Sequence, residues 1–213
     1  MSNFFEPSAQ HWPLALIMIV IASWFFYSFI APAGWREWSR AGLVQAFIIA
    51  LYAEMYGFPL TIYLLTNFLQ VHIPLVHRSG HLWAALLGYG AFGDTIEMLI
   101  GYVFVVAGIL LLIRSWGQLY LASRQGRLAT TGIYGVVRHP QYDGIFLAVF
   151  GQLVHWPTIL TLLLAPIIAW AYVRLAYKEE ALMIKTFGDQ YRAYQRRVPM
   201  FIPRWRRVVE QLA

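Results

Sequence analysis

Long apolar stretches separated by short charged segments constrain this chain more than any other feature. Leu14 to Ile30 contains no charged residue, and such a run approaches the ~20 residues that an α-helix needs to cross a bilayer. Leu43 to Leu69, Ile96 to Ile113 and Thr158 to Tyr177 repeat the pattern. Ile145 to His155 is short, but a helix begun near Gln141 lengthens it, and the Trp156-Pro157 break then turns it into a hairpin with the following run. With 60% hydrophobic and 12% charged residues, the chain falls outside the range of ordinary soluble domains. The expected fold is an all-α integral membrane protein with about five transmembrane helices, the last two forming a helical hairpin.

Charge placement predicts the orientation. Segments 31–42, 114–140 and 174–213 hold two, four and nine of the 16 Lys and Arg residues, leaving Arg78 on the other side. Basic residues collect on the cytoplasmic face, so the N-terminus is expected outside and the C-terminus inside. The net charge of +6 belongs to segment ends and a bilayer surface rather than to nucleic acid. Residues 1–13 carry Glu6 and no Lys or Arg, unlike the basic start of a secretory signal, and read as a retained tail. With no cysteine, thiolate chemistry and cysteine-ligated metals are excluded. We expect residues 1–95 to supply transmembrane helices with an acceptor-binding part, and 96–213 to form a catalytic core with a cytoplasmic tail.

Chemistry concentrates in Thr130 to Gly144, TTGIYGVVRHPQYDG. Arg138, His139 and Asp143 ionise, Tyr134 and Tyr142 add phenols, and Gly132, Gly135 and Gly144 permit positive φ or close backbone approach. Pro140 suits the first turn of a helix, whose N-terminus favours an anion. The tail, Lys178 to Pro203, sets Glu180, Ile184, Phe187, Tyr191 and Tyr194 on one helical face. An interfacial helix with its tyrosines among the headgroups is the plain reading of that face, although Gly188 weakens it and the Glu179-Glu180 pair needs another reason.

Two further groups draw attention. Tyr52 to Tyr63 places Glu54, Tyr56 and Pro59 in an apolar run, where an intramembrane carboxylate marks a functional candidate. His72, His77 and His81 invite a metal, but no cysteine or carboxylate cluster completes a ligand set. No metal is expected.

The pattern T-x-G-x-Y-x-x-x-R-H-P-x-Y-x-G, followed by E-E-x-x-L, F-G-x-x-Y-x-x-Y and V-P-x-x-I-P, resembles the isoprenylcysteine carboxyl methyltransferase family. Its superfamily includes phospholipid and small-thiol methyltransferases. The resemblance covers residues 97–203 and implies a membrane-embedded S-adenosylmethionine-dependent methyltransferase. It implies cofactor-pocket roles for Gly132, Tyr134, His139, Tyr142, Glu179 and Glu180, and places Arg138 nearest the reacting groups. Glu180 is then assigned to the cofactor's ammonium or ribose, and Arg138 to a carboxylate of cofactor or acceptor. Arg138, His139 and Glu180 are the catalytic candidates; Glu54, Tyr56 and Arg138 are the substrate-binding ones.

The acceptor, lipophilic or small, is a carboxylate, a thiol or a lipid headgroup. A thiol or amine needs a base, with His139, Glu54 or a bound water available. Membrane sterol reductases share a related C-terminal half, making an NADPH-dependent reductase the rival enzyme; a non-enzymatic carrier using Glu54 and the histidines is the other alternative. The compact form suits a prokaryotic inner membrane, with the active site facing the cytoplasm.

Overall fold

The computed structural model describes residues 12–29, 35–53, 60, 61, 83 and 90–204. Every regular element among them is a helix: α1 (Trp12–Phe29), α2 (Trp35–Tyr52), α3 (Gly90–Arg124), α4 (Ile133–Val136), α5 (Pro140–His155), α6 (Ile159–Phe187) and α7 (Asp189–Arg197). Within α3 and α6, Phe92–Arg124 and Ile159–Phe187 are long and apolar enough to cross a membrane; Pro13–Trp24 is a shorter apolar helix. The sixteen residues of α5 fall below the usual spanning length, as its sequence predicts.

Several boundaries differ from expectation. Helix α2 begins at Trp35, so the charged segment Trp35–Arg40 is helical; nothing within it opposes a helix. Helix α3 begins at Gly90, ahead of the expected apolar run Ile96–Ile113, and runs on to Arg124. The extension past Ile113 is rich in strong helix formers, so the helix continues beyond its apolar part. In the tail, the expected single amphipathic helix is broken. Its first part is the continuation of α6, and Gly188, at φ +53°, ends that helix before α7.

The chain divides into two compact units, residues 1–105 with 149–169 and residues 106–148 with 170–213. In the first unit, Gln45 on α2 donates to Ser23 on α1 at 2.7 Å. A Cβ on Gly101 would lie 2.8 Å from the carbonyl of Gly151 and 2.6 Å from the His155 Cβ, so α3 and α5 touch backbone to backbone there. After the Trp-Pro break, Thr158 and Thr161 cap α6 reciprocally. The Thr158 hydroxyl accepts from the Thr161 N–H at 3.1 Å, and the Thr161 hydroxyl accepts from the Thr158 N–H at 3.0 Å. Thr61 accepts the next N–H, of Ile159, at 2.9 Å.

In the second unit the same close approach recurs: a Cβ on Gly108 would stand 2.5 Å from the Gly144 carbonyl. Small residues at both sites let the backbone at the start of α5 sit directly on α3. A buried cluster of Tyr191, Tyr194 and Val198 packs with Leu128, Met183, Ile184 and Phe187, fastening α7 back onto α6. These two contacts frame the ends of the polar loop.

Candidate active site

The loop between α3 and α5 is shaped by backbone and by partners in its own unit. Gly132 takes φ +61°, a conformation that a side chain would strain, and a Cβ there would meet the Gln118 side chain at 2.5 Å. Gln118 accepts the Ile133 N–H at 3.2 Å. The buried Tyr134 turns its phenol to Gln141 at 3.0 Å, while its carbonyl accepts from the Tyr194 hydroxyl at 2.6 Å. The segment after α7 then runs beside the loop as a strap: Arg138 N–H donates to Pro199 O at 2.9 Å and His139 N–H to Met200 O at 3.2 Å. Backbone pairing therefore fixes Arg138 and His139 before their side chains engage anything. Pro140 follows in the first helical position, where the sequence predicts it.

The side chains converge on α6. Arg138 Nε donates to Glu180 Oε1 at 2.6 Å, in an ion pair whose side chains are only 11% and 7% exposed. Arg138 Nη1 donates to the Gln195 carbonyl at 3.1 Å and also to the Val198 carbonyl. His139 Nε2 lies 3.2 Å from the same Glu180 oxygen, and Gln195 Nε2 donates to Glu180 Oε2 at 2.7 Å. Glu180 is thus enclosed and satisfied, as a buried carboxylate must be.

Glu179 is differently placed. Its side chain is 36% exposed, and Tyr142 donates its phenol to Oε1 at 2.5 Å. The Tyr142 ring stacks on His139, 5.5 Å between centroids and 5° from parallel, and meets Tyr172 edge-on at 5.2 Å. Phe201 closes on His139 at 5.8 Å and on Phe146 at 5.7 Å. His139 Nδ1 is buried without a hydrogen bond among the described residues, 3.6 Å from Glu179 Oε2.

Burial raises the phenols of Tyr134, Tyr191 and Tyr194 above their ordinary range, with the nearby charge of Glu179 adding to the effect at Tyr134 and that of Glu180 at Tyr191. All three stay protonated at neutral pH.

Of the sequence-predicted residues, Arg138, His139, Tyr142, Glu179 and Glu180 meet in one cluster. Arg138 and Glu180, assigned to separate ligand groups, bind each other. The headgroup anchor expected at Tyr191 is replaced by a core position at 3% exposure. Glu54, Tyr56 and the three histidines lie outside the described residues, and among the described residues no group of three His, Cys, Asp or Glu is placed to hold a metal. Gln195 was not singled out from sequence: an amide between Tyr194 and two arginines carries no signal. Glu97 did carry one, as an acid in an apolar run, and is buried in the first unit.

Residues 95–190 match the phospholipid methyltransferase family. That match covers less than half of the chain. Over 77 residues the chain is 36% identical to a protein-S-isoprenylcysteine O-methyltransferase of Schizosaccharomyces pombe, covering 36% of this chain and 33% of that protein. It is 29% identical to protein-S-isoprenylcysteine O-methyltransferase B of Arabidopsis thaliana, covering 53% and 58%. With methanethiol S-methyltransferase 1 of Bradyrhizobium diazoefficiens it shares 42%, covering 39% and 28%. The chain therefore matches less than two thirds of the length of each of these relatives. No solved structure matches it. The matched family region contains the whole Arg138–Glu180 cluster except the residues contributed by α7 and the strap.

The methyl donor expected from the resemblance, S-adenosylmethionine, combines a sulfonium, an ammonium, a carboxylate, ribose hydroxyls and an adenine. The cluster suits the cationic part of that set: the half-exposed carboxylate of Glu179 lies beside Tyr142 and His139, whose Nδ1 is turned toward it.

Proposed function

We propose that this chain is an integral membrane S-adenosylmethionine-dependent methyltransferase acting on a lipophilic or small acceptor. The observation that carries the proposal is the internal neutralisation of Arg138 by Glu180 beside the half-exposed Glu179. The cation's Nε and Nη1 are held by protein oxygens, and the remaining carboxylate gives the cluster a formal negative balance next to aromatic faces. Such a surface suits a sulfonium or ammonium through charge and cation–π contact, the latter contributing about 0.5–2 kcal/mol. A polyanionic dinucleotide needs free Arg or Lys instead, so the reductase alternative is not favoured.

When bound, S-adenosylmethionine supplies a methyl group activated by the adjoining sulfonium. Glu179, Tyr142 and His139 would hold it, with Tyr142 fixing the Glu179 carboxylate through its phenol. Glu180 and Arg138 keep the loop and tail in register, and the half-buried aromatic surroundings limit water. Methyl transfer by displacement needs orientation and water exclusion rather than a covalent enzyme intermediate. A carboxylate acceptor arrives ionised; a thiol or amine acceptor must lose a proton. The charge distribution supports five spans, N-out and C-in, with the cluster facing the cytoplasm, and the compact form suits a prokaryotic inner membrane.

Calorimetric titration of S-adenosylmethionine and, separately, NADPH into detergent-purified protein tests this reading. We expect saturable S-adenosylmethionine binding that Glu179→Gln weakens. Binding of NADPH without S-adenosylmethionine would overturn it.

A further inference from the structure

Glu180 uses its two oxygens unequally. Oε1 takes both Arg138 Nε, at 2.6 Å, and His139 Nε2, at 3.2 Å, whereas Gln195 Nε2 reaches Oε2 at 2.7 Å. Gln195 also gives its main-chain carbonyl to Arg138 Nη1 at 3.1 Å. One residue of α7 therefore touches both members of the ion pair, through an amide donor on the anion and a carbonyl acceptor on the cation. Neighbouring Tyr194, buried and bonded to the Tyr134 carbonyl, pins the helix turn that aims Gln195 at the pair.

We propose that Gln195 is a positioning residue for the methyl-donor site: it locks the Glu180 carboxylate onto Arg138 and His139, leaving Glu179 as the carboxylate presented to the donor. The proposal rests on the donor-site reading above. A carboxylate held only at Oε1 rotates about its Cγ–Cδ bond, and rotation brings a second acceptor toward His139 and away from Arg138. The stacked His139–Tyr142 face, and the Glu179 carboxylate that Tyr142 holds, then lose their fixed geometry. A neutral donor is the residue type required. A cation at position 195 would compete with Arg138, and an anion would repel Glu180.

The groups facing Glu180 are Arg138 and His139 from the loop, Gln195 from α7, and the nearby phenol of Tyr191. Glu179 faces His139 and Tyr142. An isosteric Gln195→Glu change therefore sets two carboxyl groups at hydrogen-bond distance, a pair that takes up one shared proton as pH falls. Gln195→Met removes the donor while keeping the length of the side chain.

The test is calorimetric titration of S-adenosylhomocysteine into the full-length protein in detergent at pH 8 and pH 5.5, with thermal melting alongside. Losing a hydrogen bond to a charged group corresponds to about tenfold in affinity. We expect Gln195→Met to bind about tenfold more weakly at both pH values. Gln195→Glu should bind more weakly still at pH 8 and recover toward wild type, relative to the wild-type ratio, at pH 5.5. A merely structural role would show the same pH dependence in the melting temperature, whereas a positioning role changes affinity while melting stays close to wild type. If Gln195→Glu shows no recovery, or if it and Gln195→Met bind like wild type, the proposal is overturned. If Gln195→Met does not fold, the two-pH comparison of Gln195→Glu decides. Absence of binding by the wild type overturns the donor-site reading itself, and this proposal with it.

Discussion

Arg138 and Glu180, 42 residues apart in sequence, are joined through Nε and Oε1 at 2.6 Å, with both side chains almost wholly enclosed. The pair ties the polar loop to the C-terminal end of α6. Breaking one half of a buried pair leaves the other charge uncompensated, at a cost of about 3–5 kcal/mol. Arg138→Met and Glu180→Met should each lower the melting temperature substantially and abolish S-adenosylmethionine binding. The double variant should recover much of the stability, because no lone charge remains, but none of the binding. Equal stability of single and double variants would contradict the pairing.

Glu179 should separate from Glu180 in the same assay. Its carboxylate is 36% exposed, so Glu179→Gln removes a charge without stranding another in the interior. We expect a melting temperature close to wild type together with S-adenosylmethionine binding weakened about tenfold or more, the scale of a charge-assisted hydrogen bond. Unchanged affinity would shift the donor contact elsewhere.

Tyr191→Phe removes a phenol that is buried close to the Glu180 charge. A loss of about 1 kcal/mol is expected from removing this buried hydroxyl, measured by denaturant or thermal unfolding. A ring that only anchored the tail in headgroups would tolerate the same change.

Glycines on α3 should respond by position. A Cβ on Gly108 meets the Gly144 carbonyl at 2.5 Å and the Ala148 N at 2.7 Å, whereas one on Gly117 meets nothing within 4 Å. Gly108→Ala should destabilise by about 1–3 kcal/mol through overpacking, displacing the start of α5 and reducing donor binding. Gly117→Ala should be neutral or stabilise by up to about 1 kcal/mol through helix propensity. Melting of the two variants side by side checks the contrast.

Alkaline pH should loosen the second unit. The folded-state phenols of Tyr134, Tyr191 and Tyr194 titrate above their unfolded value of 10.0. Between the unfolded and folded values the native state binds more protons, so stability is fully present below pH 10.0 and falls as pH rises beyond it. Each phenol contributes up to about 1.4 kcal/mol per pH unit in that window. Tyrosinate absorbance followed together with unfolding should show these three titrating only as the tail cluster opens.

Much of the site was legible from residue types in order. Arg138, His139, Tyr142 and the Glu179-Glu180 pair announce themselves because ionisable groups beside long apolar runs are costly unless paired or used. Pro140 at the first turn of α5 and the Trp156-Pro157 break follow from local backbone rules. Other features were not legible. Whether Gly188 weakens a helix or ends it depends on what lies beyond it, and the burial of Tyr191 and Tyr194 against Leu128 and Met183 decides for ending. The reach of α3 to Arg124 likewise escaped a reading based on apolar length alone, since a helix does not stop where the hydrocarbon does.

By itself the sequence determined the membrane class, the apolar helices α3, α5 and α6 and the residue types of the cluster, because bilayer thickness and helix geometry act on contiguous stretches of chain. Only the tertiary structure decided which charge answers which. Two adjacent glutamates are equivalent in sequence, but successive residues on a helix point about 100° apart. That rotation turns Glu180 inward to Arg138, His139 and Gln195 and leaves Glu179 half open beside Tyr142.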